Sequence, residues 1–265
     1  VVMNLVTPAG AASQCVLVTV SAAQGSVPRE PGAWMLVFDQ AIEGTVGGGH
    51  LELQAIAAAR QMLHGETAVT SALRFTLGAS LGQCCGGVVE LALQRLSAAQ
   101  LDSMRGQLFP PGVPVALFGG GHVGTAIVQA LAPLPFDVRW IDSRDGIFPA
   151  LLPQGVQCEH SDPVHAAVDD LAAGSMVLVM SFSHAEDLDV VAACLQRLRK
   201  RDDLPFIGLI GSKTKWATFR HRLEARGFTH NELARITSPI GIDGIRGKQP
   251  AVIAASVAAQ LLLRL

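Results

Sequence analysis

Apolar residues along this chain recur with two periods, and the switches between them mark out its elements. Cys15 to Ser21 (CVLVTVS) is an apolar run of strand type. Ala33 to Phe38, across the turn-rich stretch Gln24–Gly32, is its expected hairpin partner. His50 to His64 carries Leu51, Leu53, Ile56, Ala57, Met62 and Leu63 at helical spacing. Phe75–Leu77 and Val88–Leu93 predict a second strand pair, and Ser97–Gln107 a helix. The pattern then breaks at Phe109-Pro110-Pro111-Gly112, which predicts an α+β domain over 1–109 and a second domain over 110–265.

In the second domain strands and helices alternate. Val115–Phe118, Val138–Ile141, Val156–Glu159, Met176–Met180 and Phe206–Ile210 read as strands. Between and after them His122–Leu131, Pro163–Ala173 (with Asp162 as cap), Ala185–Arg199, Lys213–Arg226 and Pro250–Leu263 read as helices. Strands joined in this way specify an α/β fold with a doubly wound parallel sheet, whose ligands lie outside the carboxyl ends of the strands.

The candidate chemistry gathers at those ends. Gly119-Gly120-Gly121-His122-Val123-Gly124 follows the first strand of that domain, with Gly119, Gly121 and Gly124 in a G-x-G-x-x-G pattern. Glycines there allow a tight turn, close approach of a ligand and close packing of helix on strand, and helix-start amides favour a phosphate. Asp142 ends the next strand, about 20 residues on, where a carboxylate meets a ribose hydroxyl in dinucleotide sites. On the same rim, His184 with Asp187 allows a His–carboxylate pair at helical spacing, and Ser212 with Lys213 opens a helix that could hold a phosphate. In the first domain Arg29 stands between Pro28 and Pro31 as an anion fork, with a surface ion pair the other reading. His50 follows three glycines at a helix start and is a candidate ligand contact, whereas Glu52 suits the helix dipole. Cys84 and Cys85 sit between glycines, and soft, accessible thiolates suit molybdenum, copper or sulfur transfer; the alternative is that one or both are buried as small hydrophobes. Cys15, Cys158 and Cys194 fall in apolar patterns and are expected in the core.

Composition narrows the field. The formal net charge is −2 and hydrophobic content 49%, so no nucleic-acid partner is expected. The densest cationic run, Arg197 to Arg201, reads as the solvated end of a helix. The apolar run Pro250–Leu263 is too short to span a bilayer, and the first residues lack a secretory pattern. Five cysteines do not make a disulfide framework, and a cytoplasmic location is expected.

With these pieces together, the chain resembles the XdhC/CoxI family of xanthine dehydrogenase accessory proteins. The resemblance rests on GSVPREPGAWMLV (25–37), GTVGGGHLE (44–52), LGQCCGG (81–87), LFGGGHVG (117–124), SHAEDLD (183–189), FIGLIGSK (206–213) and SPIGI (238–242). It implies a Rossmann-like second domain and a non-enzymatic helper that binds the molybdenum cofactor (molybdopterin), protects it during sulfuration and inserts it. The implied partners are an apo xanthine dehydrogenase or related molybdenum hydroxylase and a cysteine desulfurase; exposed apolar edges and partner docking lead us to expect a homodimer as well. The resemblance puts Gly119, Gly121, His122 and Gly124 at a phosphate or nucleotide site, and Cys84 and Cys85 at the metal or its sulfur. Many relatives have an acidic residue after the proline that opens the last helix, where this chain has Ala251. The alternatives are an NAD(P)-dependent oxidoreductase using the same glycine turn and a nucleotide-sensing module.

Overall fold

The structure, a computed structural model, describes residues 14–65, 69–77 and 86–265. The chain divides into two compact units, Val1–Pro110 and Pro111–Leu265.

In the first unit, β1 (Cys15–Gln24), β2 (Trp34–Val37), β3 (Ile42–Gly44), β4 (Thr70–Thr76) and β5 (Val88–Leu96) form an antiparallel sheet in the order β3-β2-β1-β5-β4. Alternate residues of β1 point to opposite faces. Val16, Val18 and Val20 pack with Leu51, Ala55, Ala59 and Met62 of α1 (Gly49–His64). Cys15 and Leu17 pack with Leu36, Leu96 and Leu101, the last from α2 (Ala98–Leu108). Both faces are covered, which is why β1 is apolar without alternating. Ser97 caps α2 in a full capping box, its hydroxyl accepting from the Gln100 amide.

The loop before α1 is tied by one carboxylate. Glu52 Oε2 accepts from the Thr45 hydroxyl and from the Val46 and Gly48 amides, both at 3.1 Å. Glu52 therefore latches the glycine loop, a role beyond a favourable charge at a helix start. Gly47, at φ 131°, lies where a Cβ would come within 2.5 Å of Pro28 Cγ, so this loop and the Pro28–Arg29 loop pack without room for a side chain.

In the second unit, β6 (Val113–Phe118), β7 (Phe136–Asp142), β8 (Val156–His160), β9 (Met176–Val179), β10 (Phe206–Leu209) and β11 (Ile236–Thr237) form a parallel sheet in the order β11-β10-β9-β6-β7-β8. Chain order reverses between β6 and β9, the switch point at which a ligand crevice opens. On one face Val115, Leu117, Val138 and Trp140 pack under α3 (His122–Leu131) and α7 (Pro250–Leu262). On the other, Phe118, Ile141, Val177 and Val179 pack under α4 (His184–Arg201) and α5 (Lys213–Ala225). A short helix α6 (His230–Leu233) precedes β11.

Two expectations are corrected. The segment opened by Asp162-Pro163 is a 3₁₀ helix, Val164–Asp170, instead of an α-helix to Ala173, and Pro163 rather than Asp162 is its cap. Its carbonyls are claimed from elsewhere: Arg197 donates to Val168 O at 2.7 Å and to Leu171 O at 2.8 Å. Arg197 is thus not part of a solvated cationic run; it is 2% exposed and paired with Asp203 at 2.7 Å. Arg199 in turn binds Glu232 and Gly227 O. No helix among the described residues is long and apolar enough to cross a membrane.

Arg197→Leu leaves Asp203 and two or more carbonyls without their donor, and should cost about 3 kcal/mol in urea unfolding; a loss below about 1 kcal/mol would show that the carbonyls find other donors. Glu52→Ala should lower stability by about 2 kcal/mol, because three donors lose a charged acceptor. An unchanged unfolding midpoint would refute the latch.

Candidate functional site

The glycine turn follows β6 at the switch point. Gly119 has φ 128°, and a Cβ there would lie 2.0 Å from Met180 O. At Gly124 a Cβ would lie 2.1 Å from Gly119 O, so α3 packs on the turn as closely as backbone permits. These two glycines are demanded by the fold. Gly121 is not: its backbone is extended, at φ −74° and ψ −178°, and nothing lies within 4 Å of a Cβ built on it. No side chain caps α3, and the first helical bond runs from Thr125 N to Gly121 O. The amides of Gly121, His122 and Val123 therefore precede the hydrogen-bond ladder of the helix, at its positive end. His122 is exposed and Val123 half-buried against the core.

The next strand holds this turn in place. Gly119 N donates to Ile141 O at 2.8 Å, Trp140 Nε1 donates to Gly119 O at 2.9 Å, and Gly120 N donates to Asp142 Oδ2 at 2.5 Å. Two expected ligand contacts are corrected here. Gly120 is buried and its amide is committed to Asp142. Asp142 is 1% exposed, and its oxygens accept from Gly120 N and from the backbone N, Nε and Nη2 of Arg144, at 2.5–2.9 Å. With four donors on it, the carboxylate has no lone pair facing a ribose. Burial pushes its pKa up, but hydrogen bonds from Arg144 and Gly120 outweigh burial and hold it below the usual carboxylate range.

Across the switch point, Phe182 is 65% exposed, and its ring lies 4.6 Å from the Arg144 guanidinium carbon. Ser143 donates to Glu186 Oε1 at 2.6 Å. The expected His184–Asp187 pair does not form. Asp187 is buried, accepting from Ser181 N at 2.7 Å and from Lys215 Nζ at 2.6 Å, while the exposed His184 sets its ring edge-on to Phe219. A fixed Ser181 amide and a lysine reach that carboxylate, whereas a histidine at the first helical position points outward. Ser212 caps α5, its hydroxyl accepting from Lys215 N at 3.1 Å. Lys213 is exposed, and Lys215 is the lysine of that helix that turns inward, donating also to Ile210 O at 2.9 Å. Arg144, Glu186 and Lys215 are rim residues that sequence reading missed, while Phe182 lies in the Ser181–His184 loop expected on this rim. Their common signal was position, in the loop or first helical turn that follows a strand's carboxyl end.

In the first unit, Arg29 is exposed on a shallow cleft lined by Pro28, Glu30, Pro31 and Ala33, and makes no ion pair among the described residues. Exposed His50 shares a 2.7 Å hydrogen bond with Gln54. Cys84 and Cys85 lie outside the described residues. The segment that carries them leaves β4 at Leu77, whose amide donates to Gly87 O at 2.8 Å, and a Cβ on Gly87 would be 2.5 Å from Gln24 O. Cys15 and Cys194 are buried in the core, where burial pushes the thiols up to about 11 and about 12; Cys158 is half-buried. Among the described residues no group of three or more His, Cys, Asp or Glu could hold a metal ion.

Over 248 residues, 90% of its length, the chain is 28% identical to the Escherichia coli K12 protein described as uncharacterized protein YqeB. It spans 41% of that relative's length. A solved structure from Bacillus halodurans, described as a xanthine dehydrogenase, matches with a TM-score of 0.74 at 18% identity, over 96% of this chain and 92% of that one. That is a likeness of fold. Residues 9–76 match the model of the XdhC and CoxI family, and residues 115–261, more than half of the chain, that of the XdhC Rossmann domain. With its glycine turn at the switch point of a six-stranded parallel sheet, the chain belongs to the XdhC/CoxI family.

Proposed function

We propose that this chain is a non-catalytic helper in the maturation of a xanthine dehydrogenase or related molybdenum hydroxylase, binding the molybdenum cofactor and delivering it to the apo-enzyme. The observation that carries this reading is the open space at Gly121. Gly119, Gly120 and Gly124 are explained by the protein's own packing, against Met180 O, Ile147 and Gly119 O, whereas Gly121 faces open space, which supports the approach of a group from outside. The amides of Gly121, His122 and Val123, uncapped at the positive end of α3, suit the terminal phosphate of the pterin cofactor. Cys84 and Cys85 suit the metal or its sulfur, as soft donors in a segment whose ends are pinned at Leu77 and Gly87. When bound, the cofactor supplies the redox chemistry of the client, and this chain contributes grip and shelter. A cysteine desulfurase as sulfur donor, a homodimeric assembly and a cytoplasmic location belong to the same reading.

An NAD(P)-dependent oxidoreductase would use the same turn, yet the inward engagement of Asp142 removes the acceptor that a ribose diol needs. The cofactor-carrier reading is therefore preferred.

Protein isolated from cofactor-producing cells should carry pterin and molybdenum near stoichiometrically by mass spectrometry and metal analysis. Gly121→Val should cut that content about tenfold or more, with thermal stability within about 1 kcal/mol of the parent. Gly119→Ala should instead destabilise the fold by several kcal/mol, because a Cβ there meets the Met180 carbonyl. Full retention of cofactor by a folded Gly121→Val protein would refute the phosphate seat. Separately, Cys84→Ala and Cys85→Ala should lower the molybdenum-to-pterin ratio without shifting the melting temperature. Retention and delivery equal to the parent's in both would remove the thiols from the site.

A further inference from the structure

The charges of this chain are segregated along its length. Residues 197–235 hold 10 of its 20 Lys and Arg but 4 of its 22 Asp and Glu, a net +6, which leaves −8 for the remainder. The stretch 137–189 is the counterpart, with 10 acids against 2 cations. The basic residues belong to the last turn of α4, to α5 and α6, and to the approach to β11. α4 and α5 each lead from one parallel strand to its neighbour and so run back against the strands. Their C-terminal ends therefore lie at the amino edge of the sheet, opposite the glycine turn.

Hydrogen bonds gather these cations into one surface. From α4, Arg199 donates to Glu232 of α6 and to the Gly227 carbonyl at 2.8 Å. Arg235 binds Asp202, just past α4, at 2.8 Å, and Arg220 of α5 lies 3.3 Å from His230 Nδ1 at the start of α6. Lys200, Arg201, Arg222 and Arg226 are exposed in the same turns. Lys200 and Arg222 enter no ion pair among the described residues, and the Arg201 side chain donates to the Asp169 carbonyl at 3.3 Å. Helix dipoles favour cations in the last turns of α4 and α5, but that effect fades within a turn and does not account for Arg220 or Arg235.

Three features of this face choose its partner. No large apolar side chain is exposed between Arg197 and Arg235, so nothing is offered to a bilayer. Phe219 and Phe228 are buried and Trp216 is half-buried, so no ring is open to stack on a base. Asp189, Asp202, Glu224 and Glu232 stand among the cations as their ion-pair partners. A continuous phosphate backbone would meet these acids, whereas a protein surface with spaced carboxylates matches the mixed pattern.

We propose that this face, centred on Lys200, Arg201, Arg222 and Arg226, docks an acidic surface of a partner protein. The partner sits at the edge of the sheet opposite the glycine turn and leaves the mouth of the crevice open. The acidic stretch of the same unit repels it, so the encounter is steered towards the basic end. This docking is independent of what the crevice holds.

Fluorescence anisotropy of the full chain with a labelled helical peptide of about 18 residues, bearing glutamates at i and i+4, tests the face. The peptide should bind at about 25 mM salt and weaken about tenfold at about 200 mM, where exposed charges are screened. Lys200→Glu combined with Arg222→Glu should keep the parent's melting temperature and weaken the peptide about tenfold or more. If that reversal lowers the melting temperature, Lys200→Gln with Arg222→Gln should still weaken the peptide. Arg74→Glu with Arg105→Glu makes the same change in net charge within the first unit and should alter affinity less than about twofold. An equal loss in that control would show that net charge alone binds the peptide, and would refute the face. Tighter binding of an oligonucleotide of equal charge, or of phosphatidylserine vesicles, through Lys200 and Arg222 would give the face to nucleic acid or lipid and overturn the protein partner. A rise in sedimentation mass of the chain alone at low salt, abolished by the same reversal, would make a second copy the occupant and also overturn it. No binding at millimolar peptide removes the surface altogether.

Discussion

The carboxyl edge of the second unit depends on the hydrogen bond from the Gly120 amide to Asp142 Oδ2. A glycine turn has little conformational preference of its own, since glycine visits most of backbone space and loses more entropy on ordering than any other residue. Something outside the turn must hold it. β7 does so from its last residues: the Ile141 carbonyl takes the Gly119 amide, the Trp140 indole binds the Gly119 carbonyl, and Asp142 takes the Gly120 amide. With those groups committed, the next amides, at the start of α3, lie ahead of the helix's own hydrogen-bond ladder.

The same bond decides the electrostatics of the crevice. Asp142 is turned inward and neutralised by Arg144, so the charge met at the end of β7 is a shared one, a guanidinium between two acids with an aromatic ring on it. A sheet of this order serves many ligands, and fold alone does not choose among them. The commitment of one carboxylate within the chain weighs against a ribose diol in the function proposed above. On the other side of the switch point, Asp187 and Lys215 play the corresponding mechanical part. Through the Ser181 amide and the Ile210 carbonyl they tie the ends of β9 and β10, so the loops that border the crevice start from fixed points.

In the first unit the equivalent organiser is Glu52, which gathers three donors of the Gly44–Gly49 loop. Around it the Pro28 loop, the glycine loop and the return at Gly87 are packed closely enough that glycine is required at Gly47 and Gly87. Glycine density in this half thus has a packing cause as well as the turn chemistry that its sequence suggests.

Local pattern was enough to place most of the elements. The apolar runs at Cys15, Val115, Met176 and Phe206 and the helical spacing after Gly49 depend on which side chains must leave water, and that is written in composition and period. Pairing sense, antiparallel in one unit and parallel in the other, followed from the lengths of the connections, whereas the order of the strands in each sheet came only from the structure. The glycine turn was legible because backbone freedom is a property of the residue itself. Which of its glycines serves the fold and which is left open was not legible, because that depends on Met180 and Ile147 arriving from other parts of the chain. For the same reason Asp142 read as a ligand contact, Arg197 as a surface charge and Lys213 as the lysine of interest. A charged side chain acts through the partner that its neighbours bring within about 3 Å, and only the tertiary structure brings Arg144 to Asp142, Asp203 to Arg197 and Asp187 to Lys215.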